Sequence, residues 1–272
     1  MTEESILANL KRYTRGIGDD CAVLKPPTSK QDMLLTTDYT IEDVHFTRDW
    51  SAERVGHKAI ARSLSDIAAM GGKPLYCLVS IALATWVDQP WMNGFYRGAT
   101  DLLEPTKAWI AGGDISHAKQ LVVSVTICGA MAKGKSLLRW GAKPGDMIYV
   151  SGPLGGWKNK TVIEPRLDLG RKLVGKASAC MDITDGLAMD LHKMGLMSKV
   201  AATLESVPLL PGATLEQALY DGEDYELLYT APSGVRVPGI RIGAITTGKA
   251  GFMKYEGKPL EPIGYDHLLH RT

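Results

Sequence analysis

The four cysteines, Cys21, Cys77, Cys128 and Cys180, form no C-x-x-C pair. Their spacing suggests neither a zinc knuckle nor a dense disulfide framework, and it suits reduced thiols in a cytoplasmic protein. Charge of one sign is not in excess either, since 31 Lys and Arg stand against 30 Asp and Glu for a net charge of +1. So close a balance gives no electrostatic reason to expect nucleic acid or a membrane as partner. No stretch approaches the ~18 uninterrupted apolar residues that a membrane span requires. The opening Met1-Thr2-Glu3-Glu4-Ser5 lacks the basic-then-apolar order of a secretory signal. Internal repeats and low-complexity segments are missing, as is any evident Ser-His-Asp or Cys-His set.

What is present reads as a globular enzyme: 272 residues, 45% hydrophobic and 22% charged. Short apolar runs alternate with helical patterns, which predicts an α/β or α+β architecture. Met33–Thr37 reads as a strand closed by Asp38. Ser51 caps a helix to about Met70, with Ile60, Leu64, Ile67 and Ala68 on its apolar stripe and Asp66 off it. Residues 75–85, 108–111 and 121–128 read as strands, and a helix from Asp88 to about Leu103 lies among them. The interruption at 129–146 predicts a domain boundary, with residues 1–134 and 135–272 on either side. Beyond it, 147–150, 179–183, 200–205, 225–230 and 239–245 read as strands. Helices are expected at 168–178, 186–194 and 213–220.

The aspartates carry the most information. Asp19 and Asp20 follow Gly16-Ile17-Gly18, Asp38 follows Thr36-Thr37, and Asp114 follows Gly112-Gly113. Asp182 and Asp185 bracket a strand-to-helix junction before Gly186. Carboxylates at strand ends beside glycine or hydroxyl residues can project into one pocket without burying charge in the core. Several converging there need cations, and magnesium, which takes oxygen ligands and brings phosphates with it, is the natural one.

Gly129-Ala130-Met131-Ala132-Lys133-Gly134-Lys135-Ser136 matches the phosphate-loop pattern G-x-x-x-x-G-K-[ST]. That loop works only when a helix starts at its lysine. Here Leu137–Trp140 lead straight into Gly141-Ala142-Lys143-Pro144-Gly145-Asp146, a turn sequence, so the match reads as linker.

Taken in order, these residues resemble the thiamine-monophosphate kinase family of the aminoimidazole-ribotide-synthetase-like superfamily. The likeness runs through Gly16–Val23, Thr36-Thr37-Asp38, Val44-His45-Phe46, Ser65–Gly71, Gly112-Gly113-Asp114 and Arg139–Asp146. It continues through Asp182–Leu187, Gly222–Leu227 and Gly264–His267. The resemblance implies a two-domain fold whose N-terminal domain dimerises through its sheet. It implies several Mg²⁺ ions on Asp20, Thr36, Thr37, Asp38, Asp66, Asp114, Asp182 and Asp185, with Asp19 beside them. ATP would meet Gly113, Asp114, Arg139 and Thr184, and thiamine monophosphate would meet His45, Glu223 and Tyr265. Asp38, Asp114, Asp185 and Arg139 would carry catalysis, as direct transfer of the γ-phosphoryl of ATP to a phosphate acceptor that needs no protein base. A relative that activates an amide or carbamoyl oxygen with ATP, or a non-catalytic nucleotide-binding module, are the alternatives. The chain departs from the pattern at Asp43, where glycine is common, at Thr184, where serine is usual, and in a shortened stretch between Gly152 and Leu167.

Overall fold

The computed structural model describes residues 18–156 and 162–265. Ser51 opens the longest helix through its hydroxyl, which accepts the Arg54 N–H, and α1 runs Ala52–Ala69. Gly71, at φ 69°, turns the chain out of it. Asp88 caps the second helix, α2 (Gln89–Leu103), in the same way through the Trp91 N–H. The two helices cross very closely. A Cβ on Gly56 would lie 2.0 Å from the Phe95 carbonyl oxygen, and one on Gly98 2.0 Å from that of Glu53.

Both helices belong to the layer against a five-stranded sheet. Its strands are β1 (Ala22–Leu24), β2 (Gln31–Ile41), β3 (Lys73–Leu83), β4 (Trp109–His117) and β5 (Val122–Ala132), in the spatial order β1-β2-β5-β3-β4. Alternation decides what faces inward. Val123, Val125 and Ile127 of β5 and Cys77, Val79 and Ile81 of β3 are buried with Ile60, Leu64 and Ile67 of α1. The even-numbered residues of β2 share that inner face, where Asp32, Leu34 and Thr40 are buried.

The second sheet has seven strands: β6 (Asp146–Val150), β7 (Ala179–Asp182), β8 (Ala201–Leu204), β9 (Leu227–Pro232), β10 (Ile240–Thr246), β11 (Met253–Tyr255) and β12 (Lys258–Leu260). Their order is β12-β11-β8-β10-β6-β9-β7. Helices α3 (Leu167–Leu173), α4 (Leu187–Ser198) and α5 (Leu215–Tyr220) accompany it, the last opened by a capping box between Thr214 and Gln217. A separate core of Ile148, Leu187, Leu191, Leu228 and Ile242 lies here. Although α3 follows the linker in sequence, it packs on α1, and a Cβ on Gly170 would lie 2.0 Å from the Ala68 carbonyl oxygen.

Several expectations need correction. Asp38 and Asp114 do not close their strands, because β2 continues to Ile41 and β4 to His117. In β4 the glycines belong to the ladder itself: a Cβ on Gly113 would stand 1.8 Å from the Val79 carbonyl oxygen, so the strand can pair there only with glycine. The helix expected over 168–178 stops at Leu173, since Val174 is already extended (φ −55°, ψ 125°) and Gly175 is left-handed. The G-x-x-x-x-G-K-S segment is the end of β5 followed by a turn, with the Gly134 N–H donating to Asp32 Oδ2 at 2.7 Å. No helix begins at its lysine.

Candidate active site

The inner face of the first sheet and β7, an edge strand of the second, both pack on α1, and acidic side chains from distant parts of the chain converge there. Asp20 comes from the segment before β1, Asp66 from the last turn of α1, and Asp182 from the end of β7. One carboxylate oxygen of each lies within 4.8 Å of the others. Hydroxyls from the same elements hold them: Thr36 donates to Asp66 Oδ2, and Ser65 donates to Asp182 Oδ2 at 2.5 Å. Asp38, on the inner face of β2, accepts Ser63 Oγ at 2.8 Å.

Charges so crowded disfavour ionisation. Burial, then the neighbouring Asp38, Asp182 and Asp20, push the Asp66 carboxyl well above the usual carboxylate range. Burial and Asp20 do the same to Asp182. Arg139 partly offsets the crowding, donating from Nε at 2.9 Å and Nη2 at 2.5 Å to Asp20 Oδ1, while its N–H binds Asp19 Oδ1 at 2.6 Å. Asp20 Oδ2 and Asp182 Oδ1 are buried and have no hydrogen-bond partner among the described residues. Oxygen-only donors, excess negative charge and unused buried lone pairs suit a hard divalent cation. Asp185 lies just past Asp182 and pairs with Lys193 of α4. Asp190 of α4 accepts the Thr184 and Asp185 N–H groups at 2.9 and 3.0 Å, and burial together with Asp185 raises its carboxyl to about 7.

The second part of the site surrounds Glu223. The loop 222–226 holds two non-glycine residues in the left-handed region, Glu223 (φ 51°) and Tyr225 (φ 52°), the kind of strain that persists where surroundings enforce it. Glu223 and Tyr225 turn to α1. Lys58 Nζ and Arg62 Nη1 each lie 2.9 Å from Glu223 Oε1, and Arg62 Nη1 donates to the Tyr225 hydroxyl at 2.7 Å. Asp224 and Glu226 turn the other way, toward Gly155, Ser151 and Arg166. His45 is buried, accepts the Ile41 N–H on Nδ1 at 3.0 Å, and offers its carbonyl to Lys58 Nζ at 2.7 Å. Tyr265 donates its N–H to the Asp185 carbonyl at 3.0 Å, and burial with the nearby Glu223 raises its phenol. A cavity of about 380 Å³ opens beside Glu223, walled by Trp50, Arg54, His57, Lys58 and Ile163. The Arg54 guanidinium carbon sits 3.4 Å from the centre of the Trp50 ring.

The fold thus brings together Asp19, Asp20, Thr36, Asp38, Asp66, Arg139, Asp182, Thr184 and Asp185, with His45, Glu223 and Tyr265 nearby. Thr37, Gly113 and Asp114 do not join them within one chain. The Thr37 hydroxyl lies on the outer face of the sheet, 2.9 Å from Thr126 Oγ1. Asp114 pairs with Ser80, Ser80 with Ser124, and Ser124 with Tyr39, which sets it three strand spacings, roughly 14 Å, from β2 and on that outer face. Sequence reasoning missed Lys58, Arg62 and Tyr225. The available signal was the spacing Arg54, Lys58, Arg62, Asp66 along one helix. Asp43, at φ 64°, explains one departure, because aspartate tolerates a left-handed site where glycine is common.

Residues 18–131 match the family described as AIR synthase related protein, N-terminal domain. Thiamine-monophosphate kinase of Aquifex aeolicus (strain VF5) is 33% identical, over 93% of this chain and 92% of its own length. The enzyme of the same name from Haemophilus influenzae is 31% identical, over 93% and 91%. The chain belongs to the thiamine-monophosphate kinase family. Its fold agrees. The solved structure "AaThiL complexed with AMPPCP and TMP" superposes with a TM-score of 0.89 at 30% identity, covering 98% of this chain and 97% of that one. The hydrogenase maturation protein HypE in complex with ATP shares the fold at 17% identity and a TM-score of 0.74, covering 97% and 95%. Among the described residues of this family member, no helix is long and apolar enough to cross a membrane.

Proposed function

We propose that this chain transfers the γ-phosphoryl group of ATP to the phosphate of thiamine monophosphate, yielding thiamine diphosphate and ADP, in the cytoplasm and with several Mg²⁺ ions. One observation carries the reading: a cluster of carboxylates suited to divalent cations and a cavity large enough for an organic acceptor lie along a single helix. The relatives named for this reaction, and the related structure with an ATP analogue and TMP, support it.

Asp20, Asp66 and Asp182, with Asp38, Asp185 and Thr36, are the residues that would hold the ions. A bound divalent cation supplies positive charge to the phosphates. Arg139 is fixed on Asp20 at the nucleotide end, with Thr184 on that side, and Gly113 would reach a nucleotide only across a pairing of two copies, like Asp114. His45, Glu223 and Tyr265 belong to the acceptor end. An oxygen of the acceptor phosphate attacks the γ-phosphorus, and the bond to the bridging oxygen of ADP breaks. The attacking oxygen is already ionised near neutral pH, with a second phosphate pKa of about 6, so the side chains align and stabilise rather than remove a proton.

The domain boundary falls at 134/135. Residues 1–134 supply most of the metal side and the dimer face, and residues 135–272 complete the site. The outer face of the first sheet exposes Tyr39, Tyr76, Leu78 and Trp109 together, an apolar patch of the kind that marks an interface. Asp114 and Thr37 share that face. A second copy packed there brings Asp114 to its partner's nucleotide, which assigns a role to a carboxylate that one chain leaves stranded.

The test is turnover with ATP, Mg²⁺ and thiamine monophosphate, comparing the native protein with Asp182→Asn. Thiamine diphosphate should form, and the substitution should slow it by about 100-fold or more while the protein stays folded. Product from an amide or carbamoyl acceptor in its place, or tight binding of both ligands without product, would decide for the alternatives.

A further inference from the structure

The acceptor cavity and the acid cluster lie at two levels of one helix. Arg54, Lys58, Arg62 and Asp66 follow at four-residue intervals on α1, each step rising ~6 Å. Lys58 walls the cavity, Asp66 belongs to the cluster, and Arg62 stands midway. Its contacts span the gap. Nη1 donates to Glu223 Oε1 at 2.9 Å and to the Tyr225 hydroxyl at 2.7 Å, and Nη2 lies 3.9 Å from Asp38 Oδ1, too far for a hydrogen bond. The Tyr225 ring centre is 5.8 Å from the guanidinium carbon. Nε is buried without a partner among the described residues, and the side chain keeps 12% of its surface exposed.

One edge of this guanidinium is therefore committed to positioning Glu223 and Tyr225, and the edge formed by Nε and Nη2 has donors to spare. That edge has the fork geometry that suits two oxygens of a phosphate. A phosphate attached to a molecule seated in the cavity must pass Arg62 to reach Asp66. We propose that Arg62 is a phosphate-binding residue for the acceptor, holding the monophosphate between the Glu223 cavity and the carboxylate cluster. It is the counterpart, at the acceptor end, of Arg139 at the nucleotide end. This rests on the acceptor being thiamine monophosphate.

The role is tested by calorimetric binding of thiamine monophosphate and of unphosphorylated thiamine, with Mg²⁺ and a non-hydrolysable ATP analogue present. In the native protein the phosphorylated ligand should bind more tightly. In Arg62→Met its affinity should fall about tenfold or more, with thiamine changed less than about twofold. Arg62→Lys, which keeps the charge without the fork, should lose affinity for the phosphate form alone by about threefold. That variant carries the comparison should Arg62→Met not fold. Equal losses for both ligands would mean that Arg62 only supports the loop, and no loss would mean that it does nothing for the acceptor. Either result overturns the proposal while leaving the kinase reading intact. A native protein that neither binds thiamine monophosphate nor turns it over ends both.

Discussion

Asp66, Asp182 and Asp190 are buried carboxyls whose proton affinity is raised in the folded chain, Asp190 to about 7 from an ordinary 3.8. The folded state therefore keeps protons that the unfolded chain has released. Its stability from these groups is complete below the unfolded value and is lost as pH rises through the folded one. Without metal, the melting temperature should fall between pH 5 and pH 8, by about 5 °C or more for a chain of this size. On the proposed function Mg²⁺ would take the place of the protons at the cluster, so the fall should shrink when it is added. Melting curves in EDTA and in excess Mg²⁺ make the comparison. A flat or rising profile in EDTA would contradict the carboxylate geometry. The cluster itself was partly legible beforehand: Asp20 and Asp182 stood beside strands, and Asp66 stood off the apolar stripe of its helix. Arg62 was not, since its partner Glu223 lies 161 residues away and only tertiary packing joins them.

Among elements, α1 does the most to organise the site, and its own position depends on how near α2 can come. Gly56 and Gly98 let the two backbones touch. Changing Gly56 to Ala places a methyl group on the Phe95 carbonyl and should force the helices apart, costing about 1–3 kcal/mol. Because Lys58, Arg62 and Asp66 ride on the same helix, activity should fall further than the fraction unfolded accounts for. Chemical denaturation beside turnover measures both. The boundaries of α1 and α2 were readable because Ser51 and Asp88 are local signals, each accepting an N–H three residues on. The lengths of β2 and β4 were not. Aspartate and paired glycines look like strand ends, yet the ladders with β5 and β3 carry both strands through them. Ladder energy from neighbours outweighs a local turn preference.

For the molecule as a whole, the decisive matter is where Asp114 acts. It stands on the outer face of an edge strand, roughly three strand spacings from Asp38. No rearrangement of side chains closes that gap within one chain, because the sheet fixes the backbone between them. The proposed two-fold pairing through the exposed patch of Tyr39, Leu78 and Trp109 would present the same surface from both copies, and each would then lend its Asp114 to the other. This predicts complementation between two inactive variants. Asp114→Asn and Asp182→Asn should each be inactive as pure dimers. In a mixed dimer, the site built on the Asp114→Asn subunit has its own Asp182 and receives an intact Asp114 from its partner. The other site carries both lesions. Random exchange of equal amounts makes half of the dimers mixed, so activity should return to about a quarter of the native value. If Asp114 served its own chain, every site in the mixture would hold one lesion and no activity would return. A charge placed in the patch, such as Leu78→Asp, should yield monomers by light scattering and remove the recovery, because the loan requires the interface.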